Sequence, residues 1–282
     1  MPATGDSPGD RAAVAERLRL QVAARYADIT VEIDPARFAL RVHRPGLDVT
    51  LPLATLHRAC QRQPARTAAL IADFVRSAEA SMVPSAPETV SLARVLWCVR
   101  GRRYLESLAR SEELLTAPVG GDIVAFVAES LPGQVMRGVP HAEWESAGID
   151  VAAARRAADE NTARRFARVM ERVAAIERVP ADGWRLAGDS LYQGSIVMVP
   201  ALLRALVERS GGDILIGLPD RAVALLIPAA LPAAATFGRR VLQEWRESMN
   251  PCSREVLRSD GASLRVVDHA RRTTSLLPWL ND

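Results

Sequence analysis

The chain has 282 residues, 49% of them hydrophobic, so it can bury the core of one large domain or of two smaller ones. Charged residues make up 24% of the sequence and the glycine and proline contents are ordinary, so neither disorder nor a fibrous repeat is indicated. All 36 basic residues are arginines. A chain without lysine has neither the lysine of a Walker-type phosphate loop nor the amine that forms a Schiff base with pyridoxal cofactors.

The charge of the chain is nearly balanced. Its net charge of +3 and pI of about 9.1 are mild, because 33 acidic residues oppose the arginines. Nucleic-acid-binding proteins more often show a concentrated basic face or stacking aromatic residues, and aromatic residues are only 5% here. Codon bias in a GC-rich, bacterial genome explains the abundance of arginine and alanine. Nucleic acid is therefore the least favoured partner.

The cysteines and the apolar segments indicate in which cellular compartment the protein is expected. Cys60, Cys98 and Cys252 are odd in number and form no CxxC pair, which favours buried free thiols in a reducing environment. The polar start of the chain is not a signal peptide, and the longest uncharged run, 222–237, is shorter than the ~20 residues of a spanning helix. We therefore expect a cytoplasmic protein without a membrane span.

The first third of the chain changes from helical to strand periodicity and back. Asp10 can cap a helix whose apolar positions recur every four residues up to Tyr26. Alternating residues over 29–53 then predict a three-strand antiparallel meander, turned at Asp34-Pro35 and Pro45-Gly46. A helix over 54–79, kinked at Pro64, and a linker over 81–89 follow.

The middle third begins with a predicted helical stretch over 91–115 that is interrupted near Gly101. Two strands, a short helix and the longest helix come next; their predicted ranges are 122–128, 134–139, 140–147 and, capped by Asp150, 151–177.

The last third repeats this pattern. Strands are predicted at 184–187 and 195–199, a helix at 200–210, and a second strand pair at 213–218 and 222–227. A helix over 232–248 and a hairpin turned at Asp260-Gly261 complete the chain.

The tetrapeptide GGDI occurs twice, and each copy precedes an apolar strand. One interpretation makes the aspartates metal or phosphate-loop residues, but a phosphate cradle needs a strand before the glycines and a helix after them. The predicted order is helix, glycines, strand. Glycine often ends a helix in the left-handed conformation, so both copies are interpreted as structural joints. The residues of the two joints are Gly120, Gly121, Asp122, Gly211, Gly212 and Asp213.

The two halves of the chain show a weak internal similarity. One offset aligns Phe38 with Trp184, Leu40 with Leu186 and Arg58 with Arg204, whereas the GGDI copies need a shorter offset. An extra segment over 79–118 in the first half would explain the difference. The predicted fold is therefore α+β, with two related helix-backed antiparallel sheet units from an internal duplication. Its predicted parts are a disordered N-terminus (1–9), a first unit (10–149), a second unit with a C-terminal hairpin (150–268) and a tail (269–282).

The order of these elements resembles the secretion-chaperone-like α-β-β-β-α-β-β-α fold, in which a helix-backed sheet binds unfolded or extended partner segments. This resemblance is topological and carries no motif, so it is weak evidence for function.

The closest likeness to a known family lies in the stretch DIVAFVAESLPGQVMRGVPHAEWESAGIDVAAARRAADENTARRF, including the pattern of Ala158, Glu160 and Asn161. This stretch resembles the central signature of the YtpQ-like family, domain-of-unknown-function family 1444. The likeness extends over about residues 10–267 through VTLPLATLHRA and GGDILIGLPDRAVALLI. The chain departs from the family at Trp97 and Trp144 and in lacking lysine. Because the family is uncharacterised, the resemblance implies no reaction.

The residues that could carry catalysis form no recognisable motif. His141-Ala-Glu143 with Pro251-Cys252 is similar to the zinc deaminase signature, but position 255 is glutamate instead of the second cysteine. The four histidines are never at i,i+4 metal spacing, and there is no GxSxG elbow. We therefore predict no catalytic residue, no metal site and no cofactor.

The first functional hypothesis is a non-catalytic, soluble, chaperone- or adaptor-like protein that binds a protein or peptide partner at a sheet edge or groove. The alternative is a hydrolase whose Asp/Glu/His site is assembled from the two halves. The candidate binding residues are Asp189, Tyr192, Asp220, Arg221, His141 and Trp144.

Overall fold

The computed structural model describes residues 8–25, 29–44, 47–82, 89–106, 108, 111–131, 135–176, 179–248 and 250–267. Within these ranges the protein is α+β, as predicted, and every described strand pair is antiparallel. The chain forms two compact units, Met1–Glu88 and Thr89–Asp282. The predicted boundary at 149/150 instead lies within the second unit, because a helix that follows it packs on strands that precede it. The predicted tail, 269–282, lies outside the described residues.

The first unit confirms the predicted meander. It contains helix α1 (Pro8–Arg25), strands β1 (Thr30–Asp34), β2 (Ala39–Arg44) and β3 (Leu47–Pro52), and helices α2 (Ala54–Arg62) and α3 (Thr67–Met82). The strands pair in the order β1-β2-β3. A break at Pro64 separates α2 from α3, as the missing backbone N–H of proline predicts. The predicted turn at Pro45-Gly46 and residues 83–88 of the predicted linker lie outside the described residues.

A four-strand sheet opens the second unit. It contains β4 (Val95–Gly101), β5 (Thr116–Gly120), β6 (Ile123–Leu131) and β7 (Val135–Gly138), and a short helix α4 (Arg102–Glu106) follows β4. The order is β4-β6-β5, and β7 pairs with the end of β6. The helical prediction for 91–115 is thus wrong at Val95–Gly101. Every residue of β4 is buried because both of its faces are covered, and such a continuous apolar run has no strand periodicity.

Three helices connect this sheet to the next: α5 (His141–Ser146), α6 (Val151–Arg165) and α7 (Ala167–Ala174). Asp150 is the residue before α6, as predicted, but its side chain makes no capping hydrogen bond. The single long helix predicted up to 177 is wrong, because the chain breaks at Phe166, whose side chain is buried in the core.

The second sheet of this unit has five strands in the order β12-β11-β9-β10-β8. Its elements are β8 (Trp184–Ala187), α8 (Pro200–Ser210), β9 (Ile214–Asp220), β10 (Val223–Pro228), α9 (Phe237–Glu247), β11 (Val256–Ser259) and β12 (Leu264–Val266). The predicted strand over 195–199 is wrong: Gln193–Met198 is a 3₁₀ helix. It packs against β4, where the Ser195 hydroxyl accepts the Val99 N–H at 3.2 Å.

The two GGDI stretches have different structures. The second confirms the prediction, since α8 ends at Ser210, Gly211 has φ 66° and the Gly212 N–H donates to the Val207 carbonyl oxygen. The first is not a helix end. It is the turn between β5 and β6, with Gly121 at φ 57°. The predicted duplication stays a prediction, and the GGDI copies no longer support it.

The two faces of the five-strand sheet bury different cores. Ala224 and Leu226 of β10 belong to the large core that this sheet shares with β4, β6, α6 and α8. Val223 and Leu225 face the opposite way, toward α9. A Cβ on Gly217 would lie 2.3 Å from a Val241 methyl group, so only glycine lets α9 approach β9 this closely. At β8, the residues on the α9 side of the sheet, Arg185 and Ala187, are exposed.

Candidate functional site

Strand β8 forms one edge of the five-strand sheet. Trp184–Ala187 pairs with β10 on one side only, and no other described strand pairs with the outer side. Trp184 and Leu186 turn toward the large core, whereas Arg185 and Ala187 are exposed on the face that carries α9. The strand therefore presents unpaired backbone groups beside an open part of the sheet face.

A groove lies between β8 and α9, and we call it the β8–α9 groove. Its main cavity has a volume of about 450 Å³, and a second cavity of about 320 Å³, which shares Arg240, adjoins it. The polar residues of the main cavity are Arg185, Asp220, Arg240, Gln243, Glu244, Glu247 and Ser248. The second cavity contains Ile227, Phe237 and Asp182.

Helical spacing places the polar side chains of α9 on one face. Arg240, Gln243, Glu244 and Glu247 follow the i, i+3, i+4, i+7 pattern and line the groove. Phe237 and Val241 point to the core.

Ion pairs order the centre of the groove and leave its ends acidic. Glu244 contacts the Nε atoms of Arg185 and Arg240 at 3.4 and 3.5 Å. Glu247 accepts a hydrogen bond from Gln243 at 3.1 Å. Asp220 accepts the Ala222 N–H at 2.7 Å and the Ser248 hydroxyl. The two cavities thus contain four acidic residues against two arginines; the acidic residues are Asp182, Asp220, Glu244 and Glu247.

The outer edge of β4, by contrast, is closed by side chains. Trp97 N–H donates to the Thr162 hydroxyl at 3.0 Å, Val99 N–H donates to Ser195, and the Asn161 amide donates to the Val95 carbonyl at 2.9 Å. These contacts occupy the backbone groups that a further strand would need. Of these two edges, only β8 is open to strand addition.

The structure separates the predicted binding residues. Asp220 lines the groove, and Arg221 follows it at the β9–β10 turn. His141 is exposed at the start of α5. Trp144 has no exposed surface and donates its indole N–H to the Val139 carbonyl, so it is a core residue.

Asp189 and Tyr192 stabilise the loop before the 3₁₀ helix. Asp189 accepts the Leu191 and Tyr192 N–H groups at 3.0 and 2.8 Å and pairs with Arg165. Burial raises the pKa of Asp189, but the Arg165 and backbone hydrogen bonds outweigh it and hold the pKa below its ordinary value. Tyr192 is fully buried, with the Arg165 guanidinium 4.6 Å from its ring centroid.

The groove residues Arg185, Arg240, Glu244 and Glu247 were not among the predicted sites. One signal in the sequence could have identified some of them: Arg240–Glu244 and Gln243–Glu247 are both i,i+4 pairs on one helix face. The edge position of β8 has no signal in the sequence, because it depends on the strand order.

The cysteines confirm the expectation of buried free thiols. Burial raises the pKa of all three, and that of Cys252 reaches about 12. They are therefore protonated at neutral pH, and a thiol is a poor nucleophile.

We expect native protein at neutral pH to resist alkylation by iodoacetamide, whereas urea-unfolded protein is alkylated at all three cysteines. Intact-mass spectrometry measures the number of adducts. Rapid labelling of Cys252 in the folded protein would contradict its burial and its raised pKa.

Comparisons with protein-family models, with curated proteins and with solved structures find no match to this chain. The resemblance to the YtpQ-like family therefore stays a prediction. Within the described residues, no three His, Cys, Asp or Glu side chains are grouped as metal ligands. Across the same ranges, no helix has the length and apolarity needed to cross a membrane.

Proposed function

We propose that this is a non-catalytic, cytoplasmic adaptor-like protein that binds an extended, positively charged peptide segment of a partner protein. The segment adds to the sheet beside β8 and places alternate side chains in the β8–α9 groove. The observation that supports this proposal best is the open edge of β8 directly beside a cavity of about 450 Å³.

Strand addition supplies affinity through the backbone, and the groove supplies selectivity. An extended segment paired with β8 directs every second side chain to the face of Arg185 and Ala187, which is the face of the groove. The excess of acidic residues there favours arginine or lysine side chains. Glu247 is exposed and accepts one hydrogen bond from a neutral glutamine, so it can bind such a side chain without losing an ion pair.

The hydrolase alternative gains no support from a particular contact. His141 is exposed on α5, while Asp189 pairs with Arg165 and Asp220 accepts hydrogen bonds at its own turn. The binding hypothesis therefore remains the better-supported function.

Selection from a random peptide library on the immobilised full chain tests the proposal. We expect enriched peptides with basic residues at alternate positions, and Glu247→Arg weakens their binding about tenfold because it places like charges together. Fluorescence anisotropy measures the dissociation constants. Glu208→Arg, the same charge change at an exposed position of α8, is the matched control and leaves the affinity unchanged.

Backbone N-methylation of the selected peptide at alternate residues tests strand addition itself. Methylation of the residues whose N–H groups face β8 abolishes binding, whereas methylation of the intervening residues is tolerated. Peptides without basic residues, or equal binding by both methylated series, would contradict the proposal.

A further inference from the structure

A cavity of about 310 Å³ lies among the three helices of the first unit, and we call it the three-helix cavity. Each helix lines it with residues that are three or four positions apart and so lie on one face. These residues include Val14 and Arg17 of α1, His57 and Gln61 of α2, and Thr67 and Ile71 of α3. The three faces thus converge on one space, as a binding site for a small molecule requires.

The inner part of this cavity is shielded from solvent. Ile71 has no exposed surface, and His57 and Cys60 are 2% and 6% exposed. The His57 ring packs edge-on against Phe38, with the ring centroids 5.5 Å apart. An apolar group placed beside these residues would therefore lose its contact with water, which favours its binding.

Arg17 brings a positive charge to the cavity. It is exposed, and its guanidinium makes no hydrogen bond or ion pair with a residue of the described ranges. Glu16, the acidic residue beside it, pairs with Arg19 at 2.6 Å. Burial raises the pKa of the Cys60 thiol, whereas its hydrogen bond with Thr67 and the charge of Arg17 lower it. The charge of Arg17 thus acts on the inner part of the cavity.

The sequence around the cavity is also basic. Residues 54–72, which span α2 and the start of α3, contain three arginines and no Asp or Glu. No acidic side chain is among the described residues that line the cavity. The resulting positive potential favours an anion at the opening. One guanidinium binds a carboxylate through two parallel N–H···O contacts and balances its single negative charge.

We propose that the three-helix cavity binds a small carboxylic acid with an apolar body. The carboxylate pairs with the Arg17 guanidinium, and the apolar body lies against Val14 and Ile71. The volume of about 310 Å³ is at the small end of the range for ligand pockets, so the ligand is a small molecule rather than a large cofactor. This site lies in the first unit and does not depend on the peptide binding proposed for the β8–α9 groove.

Titration of the full chain with para-fluorophenylacetate, followed by fluorine NMR of the ligand, tests this site. We expect saturable binding with a dissociation constant of about 1 mM or lower. The neutral isostere para-fluorophenylacetamide should bind at least about fivefold more weakly, because it carries no charge to pair with Arg17. Arg17→Gln should weaken binding of the acid by at least the same factor and leave binding of the amide unchanged. Arg58→Gln, at an exposed position of α2 outside the cavity lining, is the matched control and leaves both affinities unchanged.

Ala13→Phe tests whether the ligand lies inside the cavity or only pairs with Arg17 at the surface. Ala13 is an exposed residue of α1 that lines the cavity, so a phenyl group there takes up the space without replacing a core side chain. We expect both probes to lose at least about fivefold in affinity. Far-UV circular dichroism should show the same helix content in all three variants. No saturable binding of the acid, equal affinities for acid and amide, or unchanged binding of the acid by Arg17→Gln or Ala13→Phe overturns the proposal.

Discussion

Replacement of Trp144 by alanine is expected to lower the free energy of unfolding by about 3–5 kcal/mol. The side chain is fully buried in the large core of the second unit, and its indole N–H donates to the Val139 carbonyl at 3.2 Å. The substitution removes the largest of the fully buried side chains, opens a cavity and leaves that carbonyl without its indole donor. Urea unfolding followed by far-UV circular dichroism measures the change.

Trp245→Ala is the matched control for this substitution. Trp245 is a partly exposed residue of α9, so the same change of side chain removes less buried surface and opens a smaller cavity. Trp144→Ala should therefore unfold at a clearly lower urea concentration than Trp245→Ala. Equal losses would contradict the core position of Trp144. Equal losses would also support the prediction from the sequence that Trp144 is a binding residue.

Periodicity predicted the elements that have one buried face. In β2, Leu40 and Val42 are buried while Arg41 between them is partly exposed, and this alternation is visible in the sequence. Proline and glycine predicted two helix boundaries for similarly local reasons: Pro64 interrupts the hydrogen bonds between α2 and α3, and Gly211 takes the left-handed conformation after α8.

Hydrophobic periodicity did not predict the strand that is buried on both of its faces. Val95–Gly101 lies between two cores, so its apolar residues do not alternate with polar ones. This error also changed the interpretation of the first GGDI, since a predicted helix before Gly120 implied a helix end where the structure has a hairpin turn. The strand prediction over 195–199 was wrong for another reason. The Ser195 hydroxyl accepts a hydrogen bond from a backbone N–H nearly a hundred positions earlier in the chain, and no local pattern shows this contact.

The candidate sites also divide into residues that a local sequence pattern reveals and residues that only the tertiary structure brings together. Asp220 could be selected from the sequence because turn residues are recognisable locally. The open edge of β8 results from the strand order, which no local pattern encodes. The β8–α9 groove was thus predictable in part, through the charged face of α9.

Glu129→Gln is expected to destabilise the second unit by about 2–4 kcal/mol. Glu129 has no exposed surface, and its carboxylate accepts hydrogen bonds from Arg94, from Arg137 and from the Ser91 N–H. Arg94 contacts one carboxylate oxygen at 2.8 Å, and Arg137 contacts the other at 2.9 Å. An amide has only one acceptor oxygen, so its NH₂ group would face the donors of one arginine.

The expected loss is somewhat smaller than the roughly 3–5 kcal/mol for a fully buried ion pair, because the two arginine side chains are 37% and 25% exposed and can be partly hydrated after the change. Asp213→Asn is the matched control: it removes one carboxylate from the more exposed pair with Arg258 and should cost less than about 1 kcal/mol. All five tryptophans follow residue 88, so tryptophan fluorescence in urea reports on the second unit. If both variants lose the same small amount, then hydration replaces the contacts of Glu129, and β6 is held to its neighbours by backbone pairing and apolar packing rather than by this carboxylate.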